Sequence, residues 1–158
     1  MIKTNAMRLL EGEKIPFICF EYHPQTGVDA LSVAGYLKKD PKTIFKTLVV
    51  ISPEHECFVC VVPATSELDL KKAAKAAGVK SLEMLPLKKL FPTTGYIHGG
   101  CSPVGMKKQF QTFIDVSACS LPTFCISGGK VGLTLEVSPK VLADFLKAKF
   151  VPLRHSHD

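Results

Sequence analysis

No apolar run in this 158-residue sequence reaches the roughly 18 residues of a membrane-spanning helix, so no segment reads as one. The stretch from Met1 to Lys14 is broken by Lys3, Arg8, Glu11 and Glu13 and offers no apolar signal-peptide core, so the expectation is a cytoplasmic protein without membrane contact. There is no G-x-S-x-G nucleophile elbow, no Walker loop and no dinucleotide fingerprint, which removes the commonest hydrolase, phosphate-loop and Rossmann signatures. The histidines at 23, 55, 98, 155 and 157 lack zincin spacing. No internal repeat, low-complexity tract or linker divides the chain, so residues 1–158 read as a single domain.

What is present is ordinary for one core: 46% hydrophobic and 22% charged residues. The net charge of +6 leans toward a polyanionic partner, although many basic proteins bind no nucleic acid. Six cysteines in a reducing compartment stay thiols. Cys57 and Cys60 form a C-x-x-C, but strand alternation points them to opposite faces, which suits neither a chelate nor a disulfide. They read as buried structural cysteines, and no metal or cofactor is expected. Cys101, in a glycine-rich segment, is the one candidate for an exposed thiol nucleophile.

Residues 4–13 read as a helix capped by Thr4 or Asn5, with Ala6, Leu9 and Leu10 as its apolar stripe. A strand follows over 17–22, and Asp29 caps a second helix ending near Leu37. The nearly continuous apolar runs 44–51 and 57–62 make a hairpin of buried strands. A helix over 69–77 stops at Gly78, with Lys71, Lys72 and Lys75 on its solvent face. A strand over 81–85 and a short helix over 86–91 precede strands at 111–115, 123–127 and 131–137. A helix over 139–147 ends the ordered chain, and residues 151–158 read as a loose tail. Strands from both ends interrupted by helices argue an α+β fold with a mixed sheet.

Two features carry candidate chemistry. The segment 94–108 holds four glycines, Pro103, Lys107 and Lys108, a shaped loop whose backbone N–H groups can face an anion, or a plain connection. Lys46 lies inside an apolar strand, where an ammonium is costly unless it is paired or faces a cavity; the alternative is a side chain that snorkels to solvent.

Four motifs in order, Phe45-Lys46-Thr47-Leu48-Val49, Val62-Pro63 with Leu68-Asp69-Leu70-Lys71-Lys72, Thr94-Gly95-Tyr96 with Gly99-Gly100-Cys101-Ser102-Pro103, and Ile126-Ser127-Gly128-Gly129-Lys130, resemble the YbaK/EbsC type of aminoacyl-tRNA deacylase. The chain is also similar to the editing domain of bacterial prolyl-tRNA synthetases. The resemblance implies a mixed, mostly antiparallel and partly barrel-like sheet flanked by helices. It implies hydrolysis of a mischarged aminoacyl ester on tRNA, most typically Cys-tRNA(Pro), with Lys46 as the key lysine. It places the substrate loop on Gly99, Gly100, Ser102 and Pro103, the pocket aromatic on Tyr22, and the serine–glycine turn on Ser127 and Gly128. Val131 stands where the family often has arginine, and Thr134 where it often has an acidic residue, which bears on the substrate side chain. Lys71, Lys72, Lys75, Lys107 and Lys108 then serve either as tRNA phosphate contacts or as ordinary solvated faces. Partners on this reading are aminoacyl-tRNA and prolyl-tRNA synthetase in a transient complex, with the protein a monomer or weak dimer. Two rivals stand beside it: a non-catalytic RNA-binding module of the same fold, and a cysteine-based hydrolase or redox protein.

Overall fold

The computed structural model describes residues 3–23 and 30–156. The cap expected at Asp29 and the histidine at 157 lie outside the described residues. Helix α1 (Asn5–Gly12) starts at Thr4, whose hydroxyl accepts the Met7 N–H at 3.2 Å. It buries Ala6, Met7 and Leu10, whereas Leu9 is 40% exposed. The stripe therefore runs through Met7 rather than Leu9.

Strand β1 (Phe17–Glu21) pairs antiparallel with β7 (Leu133–Val137), and β7 pairs antiparallel with β6 (Phe124–Ser127), giving a three-stranded sheet β1-β7-β6. The larger sheet, ordered β4-β2-β3-β5-β8, is built from β2 (Phe45–Ile51), β3 (Cys57–Pro63), β4 (Glu83–Met84), β5 (Gln111–Asp115) and β8 (Lys149–Val151). The β2/β3 hairpin is antiparallel with Lys46 opposite Val62. The β3–β5 and β5–β8 pairs are parallel, each closed by a long crossover. The expected α+β class with a mixed sheet holds, but the barrel does not. The two sheets meet at one parallel bridge, Ile44 to Cys125, because β2 spends the far end of that edge on β4 and β6 turns away.

Helix α3 (Leu70–Ala77) is capped by Asp69, which accepts the Lys71 and Lys72 N–H groups, and stopped by Gly78 at φ 73°. Its Ala73 and Ala74 pack with Val50, Phe58, Cys60 and Val62 on one face of the large sheet. The opposite face joins α1, the small sheet and α5 (Pro139–Leu146) around Phe45, Val49, Val59, Ile114, Ile126 and Leu135. Cys57 packs against that second cluster and Cys60 belongs to the first, so they occupy opposite faces as alternation requires. A small third cluster, with Val33 and Ala34 of α2 (Ala30–Leu37), covers the junction at Ile44 and Cys125.

Helix α4 (Leu87–Thr94) runs a turn longer than expected, while β4 keeps only two residues and β7 begins at Leu133. The tail expected to be loose from residue 151 is fastened. Leu153 is fully buried, its N–H donates to Asp115 Oδ1 at 2.8 Å, and its carbonyl accepts the Asp69 N–H at 2.7 Å. Arg154 Nε lies 3.1 Å from Asp115 Oδ2. A buried carboxylate 38 residues upstream thus orders this tail, and no local pattern announces it.

Candidate active site

β3 covers one edge of β2 along its whole length. The other edge is covered at its ends, by the Ile44–Cys125 bridge and by β4 at Val50 and Ile51, where the Leu85 N–H also reaches the Val49 carbonyl at 3.0 Å. Between these points lies a cavity of about 490 Å³. Its walls are β2, the β6–β7 turn, β4 with α4, and the loop after α4. Ile44, Phe45, Leu85, Leu90, Ile126 and Leu133 make it largely apolar, with a few polar groups set among them, the usual make-up of a small-ligand site.

Lys46 is half-buried and is among the residues that line this cavity. Its neighbour Thr47 also lines it, and Thr47 Oγ1 is buried with no hydrogen-bond partner among the described residues. A buried hydroxyl in that state costs about 1–3 kcal/mol until something pairs with it. Tyr22 enters from the end of β1, its N–H bonded to the Gly132 carbonyl at 2.9 Å and its ring tilted against Tyr36 at 6.1 Å. Ser127 lines the cavity while its Oγ accepts the Gly129 N–H at 3.2 Å.

The glycine-rich loop divides. Gly99, at φ 85°, reaches the cavity with His98 and Cys101. Gly100, Ser102, Pro103 and Gly128 are buried outside its lining. Gly100 presses on the Lys130–Val131 backbone, where a Cβ would come within 2.9 Å. Ser102 Oγ accepts the Val104 N–H at 3.2 Å, and a Cβ on Gly128 would sit 2.7 Å from Leu133 Cγ. The loop's amides also look inward: Gly100 N–H donates to the Ile97 carbonyl at 3.0 Å and Lys107 N–H to the Thr94 carbonyl at 3.0 Å. The expectation of a nest facing a ligand is corrected at Gly100. The loop is braced instead, with the Tyr96 hydroxyl donating to the Val104 carbonyl and Asn5 Nδ2 to the Gly105 carbonyl at 3.0 Å.

Cys101 is buried, and burial pushes its thiol up to about 11, only partly offset by a hydrogen bond with the Thr94 side chain. A thiol held protonated is a poor nucleophile, so the exposed-nucleophile candidate is not what the structure contains. Burial likewise pushes the Cys60 thiol to about 12. Among the described residues, no three His, Cys, Asp or Glu side chains are grouped to hold a metal ion. The arrangement supplies an ammonium, hydroxyls and shape, and its buried cysteine is held as a thiol.

The model of the aminoacyl-tRNA editing domain matches residues 25–145, most of the chain. The chain belongs to the aminoacyl-tRNA editing domain family. Among curated relatives it is 43% identical, over 96% of this chain and 93% of the relative, to an Enterococcus faecalis protein provisionally named Cys-tRNA(Pro)/Cys-tRNA(Cys) deacylase EbsC. It is 24% identical to a proline–tRNA ligase of Brachyspira hyodysenteriae over 72% of this chain, which is 21% of that enzyme. A solved structure provisionally described as a trans-editing enzyme for prolyl tRNA synthetase shares the fold at TM-score 0.85, 22% identity, and coverage of 99% of this chain and 100% of that one.

Within this editing domain the lysines expected to meet tRNA fall into two groups. Lys71 and Lys75 project from α3, across the large sheet from the main core, and Lys72 Nζ donates to the Arg154 carbonyl. Lys107 lies over the exposed Phe91 ring of α4 at 5.3 Å, while Lys108 lies over Phe110 at 5.7 Å. Thr134, at the position the family often gives to an acid, is inside the cavity; Val131, where arginine is frequent, touches the space next to Gly99. His98 and Thr47 were missed as site residues. The position of His98 directly before the paired glycines was the available signal, and that of Thr47 was its place beside Lys46.

Proposed function

We propose that this editing domain is a freestanding deacylase that hydrolyses the ester of mischarged aminoacyl-tRNA, with Cys-tRNA(Pro) as its preferred substrate. The observation that carries the reading is the small, largely apolar cavity on the open edge of β2, lined by Lys46 and Thr47, in a chain that matches EbsC along almost its entire length. Its size suits the aminoacyl end of tRNA rather than a folded macromolecule. The reaction asks for stabilisation of negative charge on the ester carbonyl oxygen, and an ammonium in a low-dielectric cavity supplies it. With a cysteinyl ester the substrate's own thiol attacks the carbonyl carbon, the bond to the ribose oxygen breaks, and the sulfur–carbonyl ring that forms is then opened by water. Such chemistry needs no nucleophile from the enzyme, consistent with the buried, protonated Cys101. In this reading Lys46 carries the charge stabilisation, Tyr22 and Ser127 position the ester, and Gly99 lets the loop approach it.

The residues 1–158 act as one domain in the cytoplasm, as a monomer or weak dimer, and meet prolyl-tRNA synthetase transiently when its misacylated product is released. The deciding experiment incubates the purified protein with Cys-, Ala- and Ser-tRNA(Pro) and with Cys-tRNA(Cys), and follows loss of the ester. Selective loss from cysteinyl-tRNA supports the reading. Hydrolysis of Ala-tRNA(Pro) alone removes the thiol-assisted step, and binding without hydrolysis of any of them leaves a non-catalytic module.

A further inference from the structure

A second cavity, of about 420 Å³, opens beside the first and has a different chemistry: Lys42, Thr65, Ser66, Ser117, Ser120 and Arg154 line it. Two cations and four hydroxyls line it, and no carboxylate does so among the described residues. The acids around it are already bonded within the fold, and one of them, Asp115, pairs with the cavity's own Arg154. Asp115 is 1% exposed and accepts the Leu153 N–H at 2.8 Å and the Ser117 N–H at 3.1 Å while pairing with Arg154. Asp40 accepts the backbone N–H of Lys42 at 2.9 Å. Asp69 and Glu67, beyond Arg154, lie 3.6 and 3.9 Å from His155. Asp115 thus fixes Arg154 in place, and Lys72 holds the Arg154 carbonyl from the other side. Ser117 Oγ is buried without a hydrogen-bond partner among the described residues.

The position of this cavity matters as much as its lining. Ile44 and Ala64 line the first cavity, and the Ala64 N–H is bonded to the Ile44 carbonyl at 2.7 Å. Lys42, Pro63 and Thr65 line the second, one or two residues away along the same two segments. Two residues of extended chain span at most about 7 Å. The two cavities therefore flank the same two segments, and a strand whose 3′ end enters the first has the second within reach.

We infer that the second cavity is a phosphate subsite that holds a backbone phosphodiester of the tRNA acceptor strand. This rests on the deacylase reading for the identity of the polymer, whereas the anion-binding chemistry is independent of it. Guanidinium and ammonium groups with hydroxyl donors recognise phosphate oxygens without reading sequence, so the subsite positions the strand and leaves specificity to the first cavity.

The test measures binding of deacylated tRNA as a function of salt, which reads the subsite whether or not hydrolysis occurs. Lys42 is exposed, so Lys42→Gln keeps the fold; Lys140→Gln, on exposed α5 surface, matches its charge change. Loss of one phosphate contact near the single-stranded 3′ end should lower the slope of log K against log salt by about 0.7 in Lys42→Gln and not in the control. Arg154→Gln, followed with a thermal melt because it also frees Asp115, should do the same. Equal slopes for Lys42→Gln and Lys140→Gln would overturn the proposal. So would saturable binding of inorganic phosphate, followed by phosphorus NMR, that Lys42→Gln abolishes while the tRNA slope stays unchanged, since that would mark a free-phosphate site. If the wild-type protein binds tRNA with the expected slope but hydrolyses no mischarged tRNA, the deacylase reading fails and the subsite stands.

Discussion

Adding one methyl group at Gly100 should damage the site without touching any group that contacts substrate. The Cβ of Gly100→Ala would sit 2.9 Å from Lys130 Cα, Lys130 carbonyl carbon and Val131 N. Carbon atoms in good contact stand about 3.5–4.0 Å apart, so loop and turn must separate by about 0.6 Å or more. Both neighbours are backbone, and no side chain can swing aside. The two segments carry opposite parts of the cavity wall, Gly99 and Cys101 on one and Ser127 and Leu133 on the other. Overpacking of this kind costs about 1–3 kcal/mol. At about 2–4 °C per kcal/mol for a chain of this size, the melting temperature should fall by roughly 2–12 °C. Misplacement approaching an ångström costs up to about 100-fold in rate, so single-turnover deacylation should drop by about 10- to 100-fold. Gly35→Ala supplies the comparison. Gly35 lies exposed within α2, a Cβ there meets nothing within 4 Å, and helix propensity should raise stability by up to about 1 kcal/mol with the rate intact. A Gly100→Ala protein with wild-type melting and wild-type rate would refute the reasoning. A lowered melting temperature with an unchanged rate would show that this contact supports the fold and not the cavity.

Lys46→Ala should fold normally and lose about 100-fold in single-turnover rate, roughly 2.7 kcal/mol, with Lys46→Arg restoring little; a near-wild-type rate for a folded Lys46→Ala removes the residue from the mechanism. At pH 8 iodoacetamide should modify the exposed Cys119 well before Cys101, Cys125 or Cys60, and Cys101→Ser should keep deacylation within a few-fold; rapid labelling of Cys101, or collapse of that variant's rate, would revive a cysteine mechanism. Burial pushes the Cys101 and Cys125 thiols up to about 11 from 9.0, so the folded chain keeps protons that the unfolded chain sheds. That contribution to stability is intact below pH 9 and is lost as pH rises toward 11, which the Cys101→Ser variant should blunt in alkaline melts. Asp115→Ala removes both acceptor oxygens of a buried carboxylate and its pairing with Arg154, and should cost about 2–5 kcal/mol together with the slow hydrogen exchange of the Leu153 amide; retained protection at Leu153 would mean that the tail is held by packing alone.

Much of the local structure was legible because its causes are local. Thr4 and Asp69 announce helix starts through side chains that reach two or three residues ahead, and Gly78 announces a stop because it tolerates a positive φ. The run 44–51 reads as a strand from its apolar content, and alternation alone separates Cys57 from Cys60. Lys46 stood out because a charge in such a run requires a reason. The sequence left open everything that depends on which distant segment arrives next. Whether the sheets close into a barrel turned on the other edge of β2, which takes β6 for one bridge and then β4. The tail became ordered because Asp115 captures Leu153 and Arg154 from across the fold. The glycine loop turned its Gly100 amide inward toward Ile97, and Ser102 and Pro103 became packing, because Lys130 and Val131 fill the space beside them. The α3 lysines lie across the large sheet from the main core because Ala73 and Ala74 pack on that face, a choice of face that a helical period cannot express. Periodicity and capping act over a few residues, whereas a cavity is the space left between segments far apart in the chain, so its outline appears only when those segments pack.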